Sequence, residues 1–277
     1  MNENVQKRYP LVLVHGCGFR DSKVINYWGR IPAALIRQGE QVFYAHQDAW
    51  ATVETNAATI KQSILDVLRE TGAEKVNIIA HSKGGLECRY MISSLGMADK
   101  VACLTTVSTP HRGSKSADVL CRLPECLFGI AGAVVNGWNR FLGDRNPDFV
   151  TACRQFTSEY CRVFNAANPD AENVIYHSYA TVMKSASSDV FMSVPYLFVK
   201  AFDGESDGLV STGSAQWTDF RGVYTGAGRR GISHADSVDM RRCRLNRSKT
   251  DVGDEFAVRD ITELYLRIAS ELPTPED

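Results

Sequence analysis

The sequence predicts an α/β fold with a mostly parallel sheet and helices on both faces. Strand and helix patterns alternate along much of the chain, and one apolar strand runs directly into a serine between small residues. Such alternation requires right-handed crossovers, which place helices on the two faces of a parallel sheet. With 277 residues and 44% hydrophobic content, the chain can bury one large core. We therefore expect a single domain over residues 1–277.

Each expected element has its own periodicity. Strands are short apolar runs bounded by glycine or polar residues, and helices place apolar side chains three or four positions apart. The expected elements are, in order, a strand at 11–15, a helix at 31–37, a strand at 41–45, a helix at 57–69, a strand from 76 to the serine at 82, a helix carrying Leu86, Tyr90, Met91 and Leu95, a strand at 101–107, a strand at 196–202, and a helix carrying Ile261, Leu264, Ile268 and Leu272.

The alternation is lost between residues 114 and 170 and resumes near Val174. This stretch holds an apolar run at 126–135 that is interrupted by glycines and flanked by charges. We therefore expect residues 115–165 to be an insertion within the single domain.

Ser82 is the first candidate for chemistry. Ala80 and Gly84 lie two positions before and two positions after it. In a nucleophile elbow the chain turns so sharply between strand and helix that only Gly or Ala fits at these two positions. The five-residue pattern is weak by itself, but the strand before it and the helical spacing after it favour a nucleophilic serine over an ordinary turn.

A nucleophilic serine needs a histidine to accept its proton and a carboxylate to orient that histidine. In this type of sheet the partners follow in the order serine, acid, histidine. Of the six histidines, only His234 follows a loop that holds a candidate acid. Asp207 is the preferred acid, because an apolar pair and a serine return the chain to packed structure after it. Asp203, the alternative, fits a turn-forming role at the strand end.

Two backbone N–H groups are needed to stabilise the oxyanion of a tetrahedral intermediate. Lys83, the residue after the nucleophile, is the first expected donor. The glycine-rich loop after the first strand supplies the second, with Cys17 preferred and Gly18 as the alternative. Cys17 is disfavoured as a nucleophile, because it lacks a strained elbow.

With these residues assembled, the chain resembles the alpha/beta-hydrolase superfamily and, within it, the bacterial triacylglycerol lipases of the Pseudomonas and Burkholderia type. The matching blocks are 13–16, 76–85, 108–114, 207–210 and 234–236. The resemblance implies carboxylic ester hydrolysis through an acyl-enzyme on Ser82, with His234 and Asp207 completing a triad. Ala80 departs from the family's usual glycine. A polyester depolymerase, an acyltransferase and a non-catalytic binding member of the fold are the alternatives.

The resemblance also implies that the insertion at 115–165 is a lid, and that the substrate is a small-molecule or lipid ester such as a triacylglycerol. The apolar run of the insertion is expected to face the active site when closed and a lipid surface when open. Ordinary core packing in a cap is the alternative. The residues concerned are Leu127, Phe128, Ile130, Val134 and Val135.

A structural calcium ion near the catalytic histidine is a further implication, although the chemistry itself requires no cofactor. Asp236 stands where the family has one ligand carboxylate, whereas Met240 stands where a side-chain oxygen is expected. Asp239 and Asp189 are further oxygen donors considered for the same cation. The alternative is that Asp236 orders its loop by pairing with one of the arginines at 241–242.

Composition gives no signal for other partners. The net charge is −1 and no Lys/Arg-rich run is present, so no electrostatic footprint for nucleic acid or an anionic membrane is seen. No apolar run reaches the roughly 20 residues that span a bilayer. The first ten residues lack a signal-peptide pattern, so a cytoplasmic location is expected, or a secreted one if the chain is a trimmed mature form.

The eight cysteines show no C-x-x-C pair and no zinc-ligand spacing. Four of them lie at 121–161, where disulfides could form in an oxidising compartment. Reduced thiols are the preferred interpretation.

Overall fold

A computed structural model describes residues 8–18, 20–21, 26–246 and 255–276, with the backbone alone at 125–127. Its strands are β1 (Leu11–Val14), β2 (Val42–Tyr44), β3 (Val76–His81), β4 (Val101–Val107), β5 (Ile175–Thr181), β6 (Phe220–Gly226) and β7 (Ala257–Val258). They form one sheet in the order β2-β1-β3-β4-β5-β6-β7. Every neighbouring pair is parallel.

The helices follow the pattern of crossovers that a parallel sheet needs. They are α1 (Ile31–Arg37), α2 (Val53–Thr71), α3 (Lys83–Ser93), α4 (Lys115–Leu120), α5 (Glu125–Phe141), α6 (Phe149–Arg154), α7 (Ser158–Ala167), α8 (Ser193–Asp203), α9 (Thr212–Ala215) and α10 (Ile261–Ser270). Short 3₁₀ turns lie at Ala98–Lys100, Ala186–Ser188 and Asp236–Val238.

Two core clusters hold the helices against the sheet. One cluster joins α1 and α10 to the strands and includes Leu35 and Leu264. The other joins α2 and α3 to the strands and includes Ile60, Ile64 and Met91. The predicted fold class, a mostly parallel sheet with helices on both faces, is therefore confirmed.

The expected strand at 196–202 is wrong, because this segment lies in α8. Tyr196 and Val199, one helical turn apart, are buried, whereas Leu197 between them is exposed. A short apolar run does not distinguish a strand from a helix by its periodicity. In the sheet, β5 pairs directly with β6, so this segment does not form a strand between them.

The stretch at 114–170 is helical rather than irregular, and it holds α4, α5, α6 and α7. It lies between β4 and β5, which are direct neighbours in the sheet with Cys103 opposite Ile175. Within the described residues, none of the helices combines the length and the apolar character that crossing a membrane requires.

Candidate active site

Ser82 lies at the sharp turn between β3 and α3. Its backbone has φ 55° and ψ −130°, a region that a residue with a side chain rarely adopts. The turn is tightly packed: a Cβ at Gly84 would lie 2.5 Å from the carbonyl oxygen of His15, and one at Gly16 would lie 2.6 Å from Ser82 Cβ. Small residues are therefore required here, and the geometry is that of a nucleophile elbow.

His234 and Asp207 meet at the same end of the sheet. His234 Nδ1 lies 2.7 Å from Asp207 Oδ2, and the His234 backbone N–H donates to the carbonyl oxygen of Asp207. Asp207 is fully buried, and its Oδ1 accepts the backbone N–H groups of Leu209 and Val210 at 3.0 and 2.9 Å. These bonds fix the carboxylate, and its second oxygen accepts the Thr181 hydroxyl at 3.3 Å as well as contacting the histidine.

Asp203, the alternative acid, lies elsewhere. Its carboxylate accepts the backbone N–H groups of Lys115 and Ser116 and the hydroxyl of Ser114, at the start of α4. It therefore joins the end of α8 to the start of the insertion and makes no contact with His234.

The His234 ring packs against that of His81, the residue before Ser82, with ring centroids 4.4 Å apart and the ring planes tilted by 44°. This contact brings the imidazole beside the elbow. In the described residues, no hydrogen bond joins Ser82 Oγ to His234. Such bonds are often long in the absence of substrate and shorten when substrate binds.

The expected oxyanion donors, Lys83 and Cys17, each adjoin a residue of the elbow or a residue that packs against it. Lys83 is the first residue of α3, so its backbone N–H has no acceptor within the helix. Cys17 follows Gly16, whose backbone packs against Ser82. Burial raises the pKa of the Cys17 thiol to about 12, and it therefore stays protonated and is a poor nucleophile.

The cysteines whose side chains the structure describes are all free thiols. They are Cys17, Cys88, Cys103, Cys121, Cys153, Cys161 and Cys243. Cys126 lies outside the described side chains, and so does Leu127 of the expected lid run.

A buried ion pair beside the elbow was not predicted. The Lys83 ammonium pairs with Glu87 one helical turn away and donates to the carbonyl oxygen of Ala51 at 2.5 Å. Asn56 of α2 donates to the same Glu87 carboxylate at 2.8 Å. The i, i+4 spacing of Lys83 and Glu87 in a buried helix was the available signal. The pair ties the first turn of α3 to its neighbours.

The carboxylates considered for calcium do not fit a calcium site. Asp236 accepts hydrogen bonds from both Arg230 and Arg241. Asp189 accepts the Ser233 hydroxyl at 2.6 Å and lies 3.4 Å from Arg241. Guanidinium groups therefore stand where the cation would bind, and among the described residues no cluster of three or more metal-binding side chains is found. Burial raises the pKa of Asp236 to about 6, although Arg230 opposes this shift.

The Asp239 carboxylate is also occupied by an arginine, Arg30. Arg30 holds it with its backbone N–H and its guanidinium group, at distances from 2.7 to 2.8 Å, and the same guanidinium reaches Asp260. Of the two expectations for this loop, the geometry favours arginine pairing, and Arg241 is the partner of Asp236.

Comparison with known proteins agrees with this geometry. The family described as lipase (class 2) matches residues 8–113. Triacylglycerol lipase 2 of Saccharomyces cerevisiae is 27% identical over 260 residues, which cover 90% of this chain and 73% of that protein. A triacylglycerol lipase of Burkholderia plantarii is 34% identical over 181 residues, which cover 59% of this chain and 49% of that protein. The match thus spans about half the length of the bacterial relative.

Among solved structures, a metagenomic carboxyl esterase has the same fold, with a TM-score of 0.70 at 17% identity, covering 96% of this chain and 76% of that one. The matched segment at 8–113 contains the elbow and the loop after β1, whereas Asp207 and His234 lie outside it. Over these parts of its length the chain is similar to class 2 lipases and to bacterial triacylglycerol lipases, and its fold is that of the carboxyl esterase.

Proposed function

We propose that the chain hydrolyses carboxylic esters through an acyl-enzyme on Ser82. The Ser82 hydroxyl oxygen attacks the ester carbonyl while His234 Nε2 accepts the hydroxyl proton. Backbone N–H groups stabilise the oxyanion, and Lys83 and Cys17 are the proposed donors. The alcohol leaves with the proton held by His234. Water then attacks the acyl-enzyme by the same route, releasing the acid and regenerating the serine.

The observation that carries this proposal is the contact between His234 and Asp207 beside the elbow. An ionised carboxylate only accepts hydrogen bonds, so the 2.7 Å contact assigns the imidazole hydrogen to Nδ1. Nε2 then keeps a lone pair, and this is the tautomer that can accept the serine proton.

We propose acyl esters with apolar chains, triacylglycerols first, as the substrates. Relatives named as triacylglycerol lipases support this choice. Exposed apolar side chains on α5 and around the start of α8 support it as well, since Phe141 is 81% and Phe191 is 86% exposed. We propose that this surface contacts lipid transiently and that residues 115–165 act as the lid.

The proposal is tested with the wild-type chain and Ser82→Ala on a graded set of p-nitrophenyl esters and on emulsified triglycerides. Wild type should hydrolyse esters, and the variant should lose about 10³-fold or more of the activity while keeping its thermal midpoint. A fluorophosphonate should label wild type stoichiometrically and leave the variant unlabelled. A wild-type chain that hydrolyses none of these esters, or a variant that keeps its activity, would contradict the proposal.

A further inference from the structure

His81, the residue before the nucleophile, lies in a chain of buried hydrogen bonds that the proposed catalytic steps do not use. Its Nδ1 lies 2.8 Å from the Tyr27 hydroxyl, and its Nε2 lies 2.7 Å from the Ser237 hydroxyl. At one end, the Tyr27 hydroxyl accepts the backbone N–H of Gly16 at 3.1 Å. At the other end, the Ser237 hydroxyl donates to the carbonyl oxygen of His234 at 2.7 Å. The side chains of His81, Tyr27 and Ser237 are all buried.

The hydrogen-bonding partners determine which group is the donor in every bond of this hydrogen-bond chain. Ser237 has one hydroxyl hydrogen and gives it to the His234 carbonyl, so His81 Nε2 must be the donor to Ser237. A neutral imidazole with its hydrogen on Nε2 has an acceptor at Nδ1, which takes the Tyr27 hydroxyl hydrogen. The four bonds therefore run in one direction, from Gly16 to His234.

The groups in the chain keep this arrangement because they stay neutral. Burial and the neighbouring His234 hold the pKa of His81 well below its usual range. Burial also raises the pKa of the Tyr27 hydroxyl above its usual range. Neither group gains or loses a proton near neutral pH, so the bond directions do not switch.

The two ends of the hydrogen-bond chain lie on the two loops that the proposed mechanism needs. Gly16 precedes Cys17 in the expected oxyanion loop, and His234 is the proposed base. His81 itself is joined by a peptide bond to Ser82, and its ring packs 4.4 Å from the His234 ring. His81 thus precedes the nucleophile, packs against the base and reaches the oxyanion loop through the Tyr27 hydroxyl.

We propose that His81 is a positioning residue that sets the spacing between Ser82, His234 and the oxyanion loop through its bonds to Tyr27 and Ser237. This inference rests on the proposed ester hydrolysis. Displacement of reacting groups by about 1 Å can lower a rate by as much as 10²-fold, so loss of either bond should act on the chemical step rather than on substrate binding.

The test uses Tyr27→Phe and Ser237→Ala, which each remove one hydroxyl and little volume. Tyr179→Phe is the matched control, because Tyr179 is fully buried and also loses one hydroxyl bond, to Glu271 at 2.6 Å. Among the described residues, Tyr179 makes no hydrogen bond to Gly16, Tyr27, His81, Ser237 or His234. All three variants are measured on a soluble p-nitrophenyl ester and by the rate of fluorophosphonate labelling.

Tyr27→Phe and Ser237→Ala should each lower kcat and the labelling rate by about 10- to 100-fold while KM stays within about twofold. Tyr179→Phe should stay within about twofold of wild type in kcat. The double variant Tyr27→Phe/Ser237→Ala should be no slower than the slower single variant, because both changes break one chain. Nitrogen-15 NMR of wild type should show His81 as the neutral tautomer with its hydrogen on Nε2.

Three results would overturn the inference alone: kcat values of both variants equal to that of Tyr179→Phe, losses that multiply in the double variant, or a His81 hydrogen on Nδ1. A wild-type chain without any esterase activity would overturn the proposed function and the catalytic role of His81 together.

Discussion

The end of the sheet that carries Ser82 differs in construction from the two exposed apolar segments, α5 and the start of α8. Around Ser82 the polar side chains are buried and joined by specific bonds, as in the contact between His234 and Asp207. On α5 and at residues 190–194, apolar side chains face outward, and Val134 is 68% exposed. For the proposed function, this contrast means that ester hydrolysis would depend on individual distances, whereas contact with substrate would depend on apolar area.

The largest effect on activity should come from breaking the hydrogen bond between His234 and Asp207. Asp207→Asn keeps the side-chain shape but removes the acceptor that holds the His234 hydrogen on Nδ1. We expect kcat/KM for a soluble ester to fall by about 10³-fold or more. Asp203→Asn, on the other carboxylate, should lose less than about tenfold, since its partners lie in α4. Equal losses in the two variants would reassign the acid.

The next largest effect should come from acid, which should lower the free energy of unfolding through two buried histidines. The pKa values of His81 and His111 are held well below the usual range, mainly by burial. Below about pH 6.5 the unfolded chain takes up protons that these two folded-state residues cannot, so stability should fall as pH decreases, by at most about 1.4 kcal/mol per pH unit for each group. Asp236 acts in the opposite direction, since its pKa is raised to about 6 and its protonation favours the folded state.

This pH dependence is measured by urea unfolding at several pH values between 7.5 and 5.5. The expected result is a net decrease in the free energy of unfolding toward lower pH. A free energy of unfolding that increases on acidification would contradict the charge states assigned to the two histidines.

A smaller effect on activity, limited to some substrates, should come from a charge on the exposed apolar face of α5. Val134→Asp places a charge on the apolar face of α5 and should reduce activity on emulsified long-chain esters by about tenfold, with little change on soluble short-chain esters. Ile36→Asp is the control, because Ile36 is also exposed but lies on α1. Equal loss on both substrates would mean that the insertion has a structural role only.

The smallest effect is expected for metal removal. Asp236 and Asp189 are already held by Arg241 and Ser233, so excess EDTA or added calcium should leave the thermal midpoint and the activity unchanged. In contrast, Arg241→Ala should lower the midpoint, because it leaves a buried carboxylate with one fewer partner. A midpoint that falls with EDTA and recovers with calcium would restore the calcium hypothesis.

The strand, turn and helix around Ser82 were easier to predict from the sequence than the exposed surface. The sharp turn at Ser82 is a local feature, readable from a strand, a serine and two small residues in a row. The helix at Ile31–Arg37 and the strand at Val101–Val107 have the predicted bounds, because each is a strongly patterned segment with clear ends.

Features that depend on contacts between residues far apart in the chain could not be predicted from the sequence. The pairing of Arg30 with Asp239 joins residues far apart in the chain, and no local pattern announces it. The segment at 196–202 has the same apolar composition as a buried strand, and only its neighbours in the fold make it a helix. The apolar sequence of α5 likewise resembles that of a core segment, because the exposure of a residue is determined by the assembled fold.

The direct pairing of β4 with β5 has a consequence for how such chains diversify. The insertion leaves the sheet after Val107 and returns at Ile175, and these two strands are neighbours whatever lies between them. Each doubling in length of a flexible connection costs only about 0.6 kcal/mol in closure entropy. Evolution or engineering can therefore exchange the helices between these strands for longer or shorter ones while the elbow keeps its geometry, and for the proposed function such an exchange would change which esters are admitted.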